Sequence, residues 1–236
     1  MRVDCKTIKE QAIEYAKKHK KQIAYKFIDD NRYKSEDVPV SIFMCGSPGA
    51  GKTEFSKNII KNLKQQIVRI DGDEIREKLP GYTGANSVLF QSAVSIIVDK
   101  IHDIVLAKQH SFILDGTFSK YTKARENILR SLKRYRTVYI FYIYQDPIVA
   151  WKFTKMREKL EGRNIPKESF INHFFGAIET INNVNKEFKG QVMIYFVKKN
   201  LEFNTVDEIT RIISSRHKVD DLIGTTYTKQ ELTALL

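Results

Sequence analysis

The sequence predicts an α/β fold with a mostly parallel, five-stranded sheet flanked by helices. Two observations predict it: short apolar runs alternate with longer segments of helical periodicity, and the short runs are apolar throughout rather than at every second position. Strands of that kind are usually covered on both faces, and their alternation with helices is typical of a parallel sheet.

The predicted strands are five short apolar runs. They lie at residues 40–45, 67–70, 111–114, 138–144 and 192–196. Apolar residues spaced three and four apart predict helices around and between these strands. The helices lie at residues 5–28, 53–63, 86–108, 121–134, 147–160, 167–187 and 205–215.

The length of the chain favours one compact domain with small appendages. We predict a helical N-terminal segment, residues 1–36, that packs on the core, and a main domain at residues 37–216. Residues 29–39 are polar, lack periodicity and contain a proline, so they connect the two. Residues 217–236 are predicted to form a C-terminal tail.

The composition bounds the location and the partners. The formal net charge is +12 and is concentrated within residues 117–167, which predicts either an anion-binding zone or a solvated, lysine-rich surface. Two cysteines, Cys5 and Cys45, indicate a reducing compartment. The first residues lack a secretion-signal pattern, and no run approaches the roughly 20 apolar residues that span a bilayer. We therefore expect a cytoplasmic location and no membrane partner.

A glycine-rich loop between the first strand and the next helix matches the phosphate-binding pattern Gly-x-x-x-x-Gly-Lys-Thr. It consists of Gly46, Ser47, Pro48, Gly49, Ala50, Gly51, Lys52 and Thr53. Glycines let backbone N–H groups turn toward phosphates, Lys52 can bridge the β- and γ-phosphates, and Thr53 can ligate Mg²⁺. A glycine-rich turn without a ligand is the alternative, but the flanking strand and helix count against it. ATP and Mg²⁺ are therefore the predicted cofactors.

Acidic residues follow the second and third predicted strands. Asp71 and Asp73 end one, and Asp115 ends the other, so a parallel sheet would bring all three to the edge that carries the glycine-rich loop. Such carboxylates can hold Mg²⁺, orient a substrate hydroxyl or accept its proton. Capping of the next helix is the alternative, and it is the commoner role for Asp71 considered alone.

Two arginines mark a candidate lid at about residues 155–167. Arg157 and Arg163 flank a short polar stretch, and Gly162 and Pro166 break the helical pattern beside them. Kinases of small molecules use cations on a closing segment to neutralise the transferring phosphoryl group. Solvated arginines in a basic region are the alternative.

Taken in this order, the motifs resemble those of the zeta-toxin family over about residues 8–200. The likeness comprises the lysine-rich opening helix, the glycine-rich loop, Asp-Gly-Asp at residues 71–73, Phe-Ile-Leu-Asp-Gly-Thr at residues 112–117, and the basic lid. The chain departs from that pattern at Ser119, where a longer basic side chain is expected. The resemblance implies a P-loop kinase-like fold.

Zeta toxins phosphorylate the 3′-hydroxyl of the sugar in UDP-N-acetylglucosamine, so the resemblance implies a sugar-nucleotide kinase. It implies that Asp73 is the base and that Lys52, Arg157 and Arg163 stabilise the moving phosphoryl group. It implies that Thr53 holds Mg²⁺. Substrate contacts are assigned by resemblance to Asp73, Asp99, Asp115 and Thr117, with Asp99 the weakest candidate. A protein antitoxin is a further implied partner.

Two other functions stay open from the sequence. The chain could be another P-loop kinase, acting on a different metabolite or on a polynucleotide 5′-hydroxyl, although we expect no nucleic-acid partner because no aromatic-rich binding face is evident. It could also be an ATP-binding interaction module without catalysis. The opening helix either packs on the core or inhibits the site in cis.

Overall fold

The computed structural model describes residues 5–29, 31–63, 66–200, 205–213, 218–224 and 226–236. Within them a single sheet has the strand order β2-β3-β1-β4-β5-β6. Its strands are β1 (Val40–Cys45), β2 (Val68–Asp71), β3 (Phe112–Asp115), β4 (Thr137–Tyr144), β5 (Met193–Lys199) and β6 (Val206–Ile212).

The described helices lie between and around these strands. They are α1 (Cys5–Phe27), α2 (Lys52–Asn62), α3 (Gly72–Arg76), α4 (Gln91–Ala107), α5 (Tyr121–Leu132), α6 (Pro147–Glu161), α7 (Lys167–Glu187), α8 (Val219–Ile223) and α9 (Lys229–Leu235), with a 3₁₀ turn (Ser87–Phe90) before α4. None of them is both long enough and apolar enough to cross a bilayer.

The predicted α/β fold is confirmed. The strands β1 to β5 are mutually parallel, and the core lies on both faces of the sheet. Successive side chains of β1 point to opposite faces: Phe43 and Cys45 enter the larger apolar cluster, whereas Ile42 and Met44 enter the smaller one. Burial on both faces explains why these strands are continuously apolar.

The count of five strands was one too few, because the helix predicted at 205–215 is wrong. Residues Val206–Ile212 form β6, which pairs antiparallel with β5 at the edge of the sheet. Only Ile212 of this strand is buried, and it lies opposite Ile194. Because an exposed edge strand needs no alternating apolar pattern, the spacing of Val206, Ile209 and Ile212 imitated a helical face. Residues 214–215 of the predicted helix lie outside the described residues.

The N-terminal helix α1 packs against α4. Its alanines Ala12, Ala16 and Ala24 share one face and are buried in the larger cluster. Small side chains on that face allow the two helices to approach closely. The last part of the chain, predicted as a tail, contains α9, where Thr228 and Glu231 form a capping box and Leu232 is fully buried.

Candidate active site

The glycine-rich loop leaves β1 and enters α2 at the carboxyl edge of the sheet, where it packs against two other elements. Gly46, Gly49 and Gly51 all have positive φ, of 139°, 75° and 85°. A Cβ on Gly46 would lie 2.3 Å from the carbonyl oxygen of Ile143, and one on Gly49 would lie 2.2 Å from that of Ala150. The loop is therefore held between the end of β4 and the start of α6, and no side chain fits at either glycine.

Lys52 and Thr53 begin α2 and lie beside the loop. The Lys52 amine donates to the Ser47 carbonyl oxygen, with Nζ and O 2.6 Å apart. Burial lowers the pKa of this amine, and the charges of Asp115 and Asp73 only partly oppose that effect. An amine that is poorly solvated and held over the loop is well placed to bind an incoming anion.

The acidic residues of β2 and β3 meet at the same edge. Asp71 and Asp115 are partners in the register of the two strands. Asp71 also accepts a hydrogen bond from the Asp73 backbone N–H (2.8 Å), so it caps α3, the alternative role considered for it from the sequence. Burial, together with the nearby negative charge of Asp73, raises the pKa of Asp71 to about 6.

Arg69 joins these two buried carboxylates. Its Nη2 donates to an oxygen of Asp71 and, at 2.7 Å, to Oδ2 of Asp115. Its Nε donates to the Ser56 hydroxyl (3.0 Å), which in turn donates to Oδ2 of Asp115 (2.9 Å), and Nη1 donates to Glu74 (2.5 Å). One guanidinium thus orients both acids at the ends of β2 and β3 and partly compensates their charges.

Asp73 is surrounded by three arginines. Its Oδ1 accepts from Arg76 Nη1 at 2.5 Å, its Oδ2 accepts from Arg163, and Arg157 Nη2 lies 3.9 Å from the same Oδ2. Burial raises the pKa of the Asp73 carboxyl, but the charges of Arg163, Arg76 and Arg157 outweigh that effect and the pKa falls below its ordinary value. Asp73 is therefore ionised, with both of its oxygens engaged.

The lid segment carries two of those arginines and rests on the rest of the site. Gly162 ends α6 in the left-handed conformation (φ 71°), and Arg163 follows it directly. The Ser87 hydroxyl donates to the Asn164 carbonyl oxygen at 3.1 Å. Between this candidate lid and the segment from α3 to Gly84 lies a cavity of about 190 Å³. Its lining residues are Asp73, Glu77, Tyr82, Thr83, Gly84, Arg157, Glu161 and Arg163.

Two further predicted substrate contacts, Thr117 and Asp99, lie outside the cluster around Asp73. The Thr117 carbonyl oxygen accepts from the Gly46 N–H (3.2 Å), which places Thr117 next to the start of the glycine-rich loop. Asp99, on α4, forms an ion pair with Lys123 of α5 (2.8 Å) and makes no contact with the Asp73 cluster among the described residues. Asp99 is thus the one candidate that the fold does not bring to Asp73, to Asp115 or to the loop.

A divalent cation fits this donor set. Among the described residues no cluster of three or more His, Cys, Asp or Glu side chains could hold a metal alone. Mg²⁺ at phosphate sites needs only one or two protein oxygens, since phosphates and waters complete its octahedron. The hydroxyl of Thr53 and the carboxylate of Asp115, at the same edge as the loop, meet that requirement.

Sequence reasoning missed three residues of this site. Arg69 had a signal, because a charged residue inside an otherwise apolar strand needs a buried partner. Ser56 had a weaker one, one helical turn after Thr53. His173 had no such signal, since its ring nitrogen contacts the hydroxyl of Ser119, which lies in a distant part of the sequence.

Comparisons with known proteins place the chain among proteins of this architecture. The family model described as Zeta toxin matches residues 23–208. No curated protein matches the sequence at a significant level.

Solved structures with the same fold are distant in sequence. A structure from the PezAT chromosomal toxin–antitoxin system of Streptococcus pneumoniae aligns with a TM-score of 0.65 at 17% identity, covering 94% of this chain and 87% of that chain. The AvrRxo1-ORF1:-ORF2 complex with ATP aligns with a TM-score of 0.58 at 12% identity, covering 92% and 70%. The Pnkp1/Rnl/Hen1 RNA repair complex aligns with a TM-score of 0.51 at 17% identity, covering 63% and 47%. At these identities the likeness shows the fold alone.

Proposed function

The chain belongs to the zeta-toxin family, and from that premise we propose that it is an ATP-dependent kinase of a sugar nucleotide, UDP-N-acetylglucosamine or a close relative. One observation carries the proposal: the Asp73 carboxylate lies beside a cavity, ringed by three arginines, at the sheet edge that carries the glycine-rich loop. A carboxylate, a set of cations and a phosphate-binding loop are the parts that phosphoryl transfer to a hydroxyl requires.

The ATP side is formed by the loop and the start of α2. Backbone N–H groups of Gly49, Gly51, Lys52 and Thr53, at the amino end of α2, bind the phosphates. Lys52 exchanges the Ser47 carbonyl oxygen for phosphate oxygens, which are stronger acceptors because they are charged. Thr53, supported by Asp115, would hold Mg²⁺, which would neutralise part of the charge on the phosphates.

The acceptor hydroxyl is activated by Asp73. Its oxygen attacks the γ-phosphorus, the bond from that phosphorus to the β–γ bridging oxygen breaks, ADP leaves, and the hydroxyl proton passes to the Asp73 carboxylate. In the free protein Arg163 holds this carboxylate at a lowered pKa, which makes it a weak base. When the γ-phosphate attracts Arg163, the pKa of Asp73 rises and the carboxylate becomes free to accept a proton.

Arg157 and Arg163 then stabilise the transferring phosphoryl group. Charge spreads over its equatorial oxygens in the transition state, and guanidinium groups beside those oxygens lower the energy of that state. The position of Arg163 just after a helix-ending glycine allows it to turn from Asp73 toward the phosphates.

A protein antitoxin and a cytoplasmic location complete the proposal. One of the solved structures that shares the fold belongs to a toxin–antitoxin system. An antitoxin that covers the nucleotide site would suppress the activity, and the cytoplasm would supply both ATP and sugar nucleotides.

The test is incubation with ATP, Mg²⁺ and a panel of sugar nucleotides, read by mass spectrometry for a gain of one phosphate. Polynucleotides with a 5′-hydroxyl are included, since the positive charge concentrated within residues 117–167 would suit a nucleic acid. Lys52→Ala is expected to lower the transfer at least about 10²-fold, because it removes a cation from the phosphates. ATP binding without transfer to any member of the panel would leave a non-catalytic binding module as the better account.

Replacing Gly49 by alanine is expected to weaken ATP binding at least tenfold. The new Cβ would lie 2.2 Å from the Ala150 carbonyl oxygen, so the loop must move away from α6. The measurement is the equilibrium affinity for a fluorescent ATP analogue. Gly190→Ala is the matched control, because Gly190 also has a positive φ of 74° but its Cβ would meet nothing within 4 Å. Equal ATP affinity in the two variants would contradict a role for the tight packing of the loop.

A further inference from the structure

A hydrogen-bonded chain of three side chains leads from the glycine-rich loop to α7. The Thr117 and Ser119 hydroxyl oxygens are 3.0 Å apart, and Ser119 Oγ lies 2.8 Å from Nδ1 of His173. All three side chains are half-buried. The chain connects the segment after β3 with a helix that lies more than fifty residues further along the sequence.

Two features of the backbone hold this chain in place. Gly176 lies one helical turn after His173, and a Cβ on it would be 2.5 Å from the Ser119 carbonyl oxygen. The α7 backbone therefore touches the segment after β3, which no larger residue at 176 would permit. Phe118, between the two hydroxyl residues, has a positive φ of 56°. A non-glycine residue in that conformation is strained, and such strain persists where the surrounding structure over-determines it, often at functional sites.

The hydrogen-bonded chain lies beside the site described above. The Thr117 backbone is bonded to Gly46, at the start of the loop. Burial lowers the pKa of the His173 imidazole, and the positive charges of Lys52, Lys120 and Arg163 lower it further. The imidazole is therefore neutral at physiological pH, and two hydroxyls and a neutral ring present no net charge.

We propose that Ser119 and His173 are positioning residues, which fix the Thr117 hydroxyl so that it binds an uncharged hydrogen-bonding group on the sugar of the acceptor. This inference rests on the proposed function. The direction of the hydrogen bonds among these three side chains follows from the protons that each of them carries. Each hydroxyl has one proton, so the nitrogen that carries the imidazole proton decides whether Thr117 presents a donor or a lone pair. In either case Thr117 offers the acceptor a hydrogen bond without a charge, which suits a neutral sugar group, whereas the diphosphate of a sugar nucleotide requires cations.

The test compares binding of UDP-N-acetylglucosamine with binding of UDP, by calorimetry without ATP. Ser119→Ala breaks the chain in the middle and is expected to weaken UDP-N-acetylglucosamine about tenfold, the effect of losing one positioned hydrogen bond. The affinity for UDP, which lacks the sugar, is expected to stay unchanged. In the kinase assay the KM for the acceptor rises while the KM for ATP and the melting temperature stay as in the wild type.

Matched variants separate positioning from general damage. His173→Leu is expected to behave like Ser119→Ala, whereas His173→Asn retains much of the affinity because its amide can place a polar atom near the position of Nδ1. Ser95→Ala, in an exposed serine of α4, is expected to change nothing.

Three outcomes would overturn the inference. Unchanged acceptor affinity in Ser119→Ala contradicts the inference. Equal weakening of UDP and UDP-N-acetylglucosamine binding also contradicts it, since the three side chains would then act on the nucleotide instead of the sugar. A wild-type protein that neither binds nor phosphorylates any sugar nucleotide removes the proposed function, and this inference with it. That last result is seen in the wild-type protein alone, so failure of the proposed function is distinguished from failure of this inference.

Discussion

Replacing Asp73 by asparagine is expected to lower kcat about 10³-fold, within the range that loss of a general base produces. The asparagine amide keeps nearly the same shape, but its single oxygen can accept from only one of Arg76 and Arg163, and it cannot take the proton of the acceptor hydroxyl. Affinity for ATP is expected to rise slightly, because Arg163 no longer has to leave a carboxylate in order to reach the phosphates. The measurement is kcat and KM for both substrates at saturating Mg²⁺.

The control for this variant is Asp103→Asn. Asp103 pairs with Arg130 on the surface, so the same loss of charge occurs at an exposed ion pair. The side chain of Arg76 is only 6% exposed, so Asp73→Asn is also expected to lower the melting temperature, and kcat must be measured well below it. If Asp73→Asn keeps kcat within tenfold of the wild type, Asp73 is not the base.

Replacing Arg69 by methionine is expected to reduce the free energy of unfolding by about 3–5 kcal/mol, the cost of removing one partner from a buried ionic group. The side chains of Arg69, Asp71 and Asp115 are 9%, 10% and 4% exposed, so neither carboxylate can be solvated once the guanidinium is gone. The measurement is urea unfolding at pH 7.5.

The same variant has an expected pH dependence. The pKa of Asp71 in the folded protein, about 6, lies above its ordinary value, so the folded state binds a proton more tightly than the unfolded state does. Its contribution to stability is present at low pH and is lost as the pH rises through about 6. Loss of Arg69 raises this pKa further, so the destabilisation is expected to be smaller at pH 5.5 than at pH 7.5.

Arg125→Met provides the comparison for Arg69→Met. Arg125 pairs with Glu187 at 2.7 Å, but both side chains are substantially exposed, and such pairs contribute little to stability. If Arg69→Met costs no more than Arg125→Met, the charges at the ends of β2 and β3 are compensated in another way.

Most of the fold could be predicted because its strands are buried on both faces. Continuous apolar runs marked β1 to β5, and the alternating helices indicated that these strands are parallel. The sixth strand could not be found in the same way, because β6 is exposed at the edge and its stability comes from pairing with β5 rather than from its own apolar pattern.

The residues of the site also differ in how far the sequence predicted them. The loop and the acids at the strand ends were predictable, since the carboxyl ends of parallel strands share an edge. The contacts of Arg69 with Ser56, and of His173 with Ser119, join segments that no local pattern relates. Asp71 shows most clearly what the sequence pattern does not resolve. Its carboxylate both ends a strand and caps a helix, and its partner Arg69 lies in the strand itself.

The ion pair between Arg163 and Asp73 has a consequence for the order of events. A single guanidinium cannot serve the carboxylate and a phosphate at full strength at once, so occupancy of the nucleotide site and readiness of the base are thermodynamically linked. ATP should then increase the affinity for the acceptor, and the acceptor should increase the affinity for ATP by the same factor. A protein built in this way keeps its proton acceptor idle until the nucleotide is bound, so the acceptor hydroxyl is activated only when a phosphoryl donor is present.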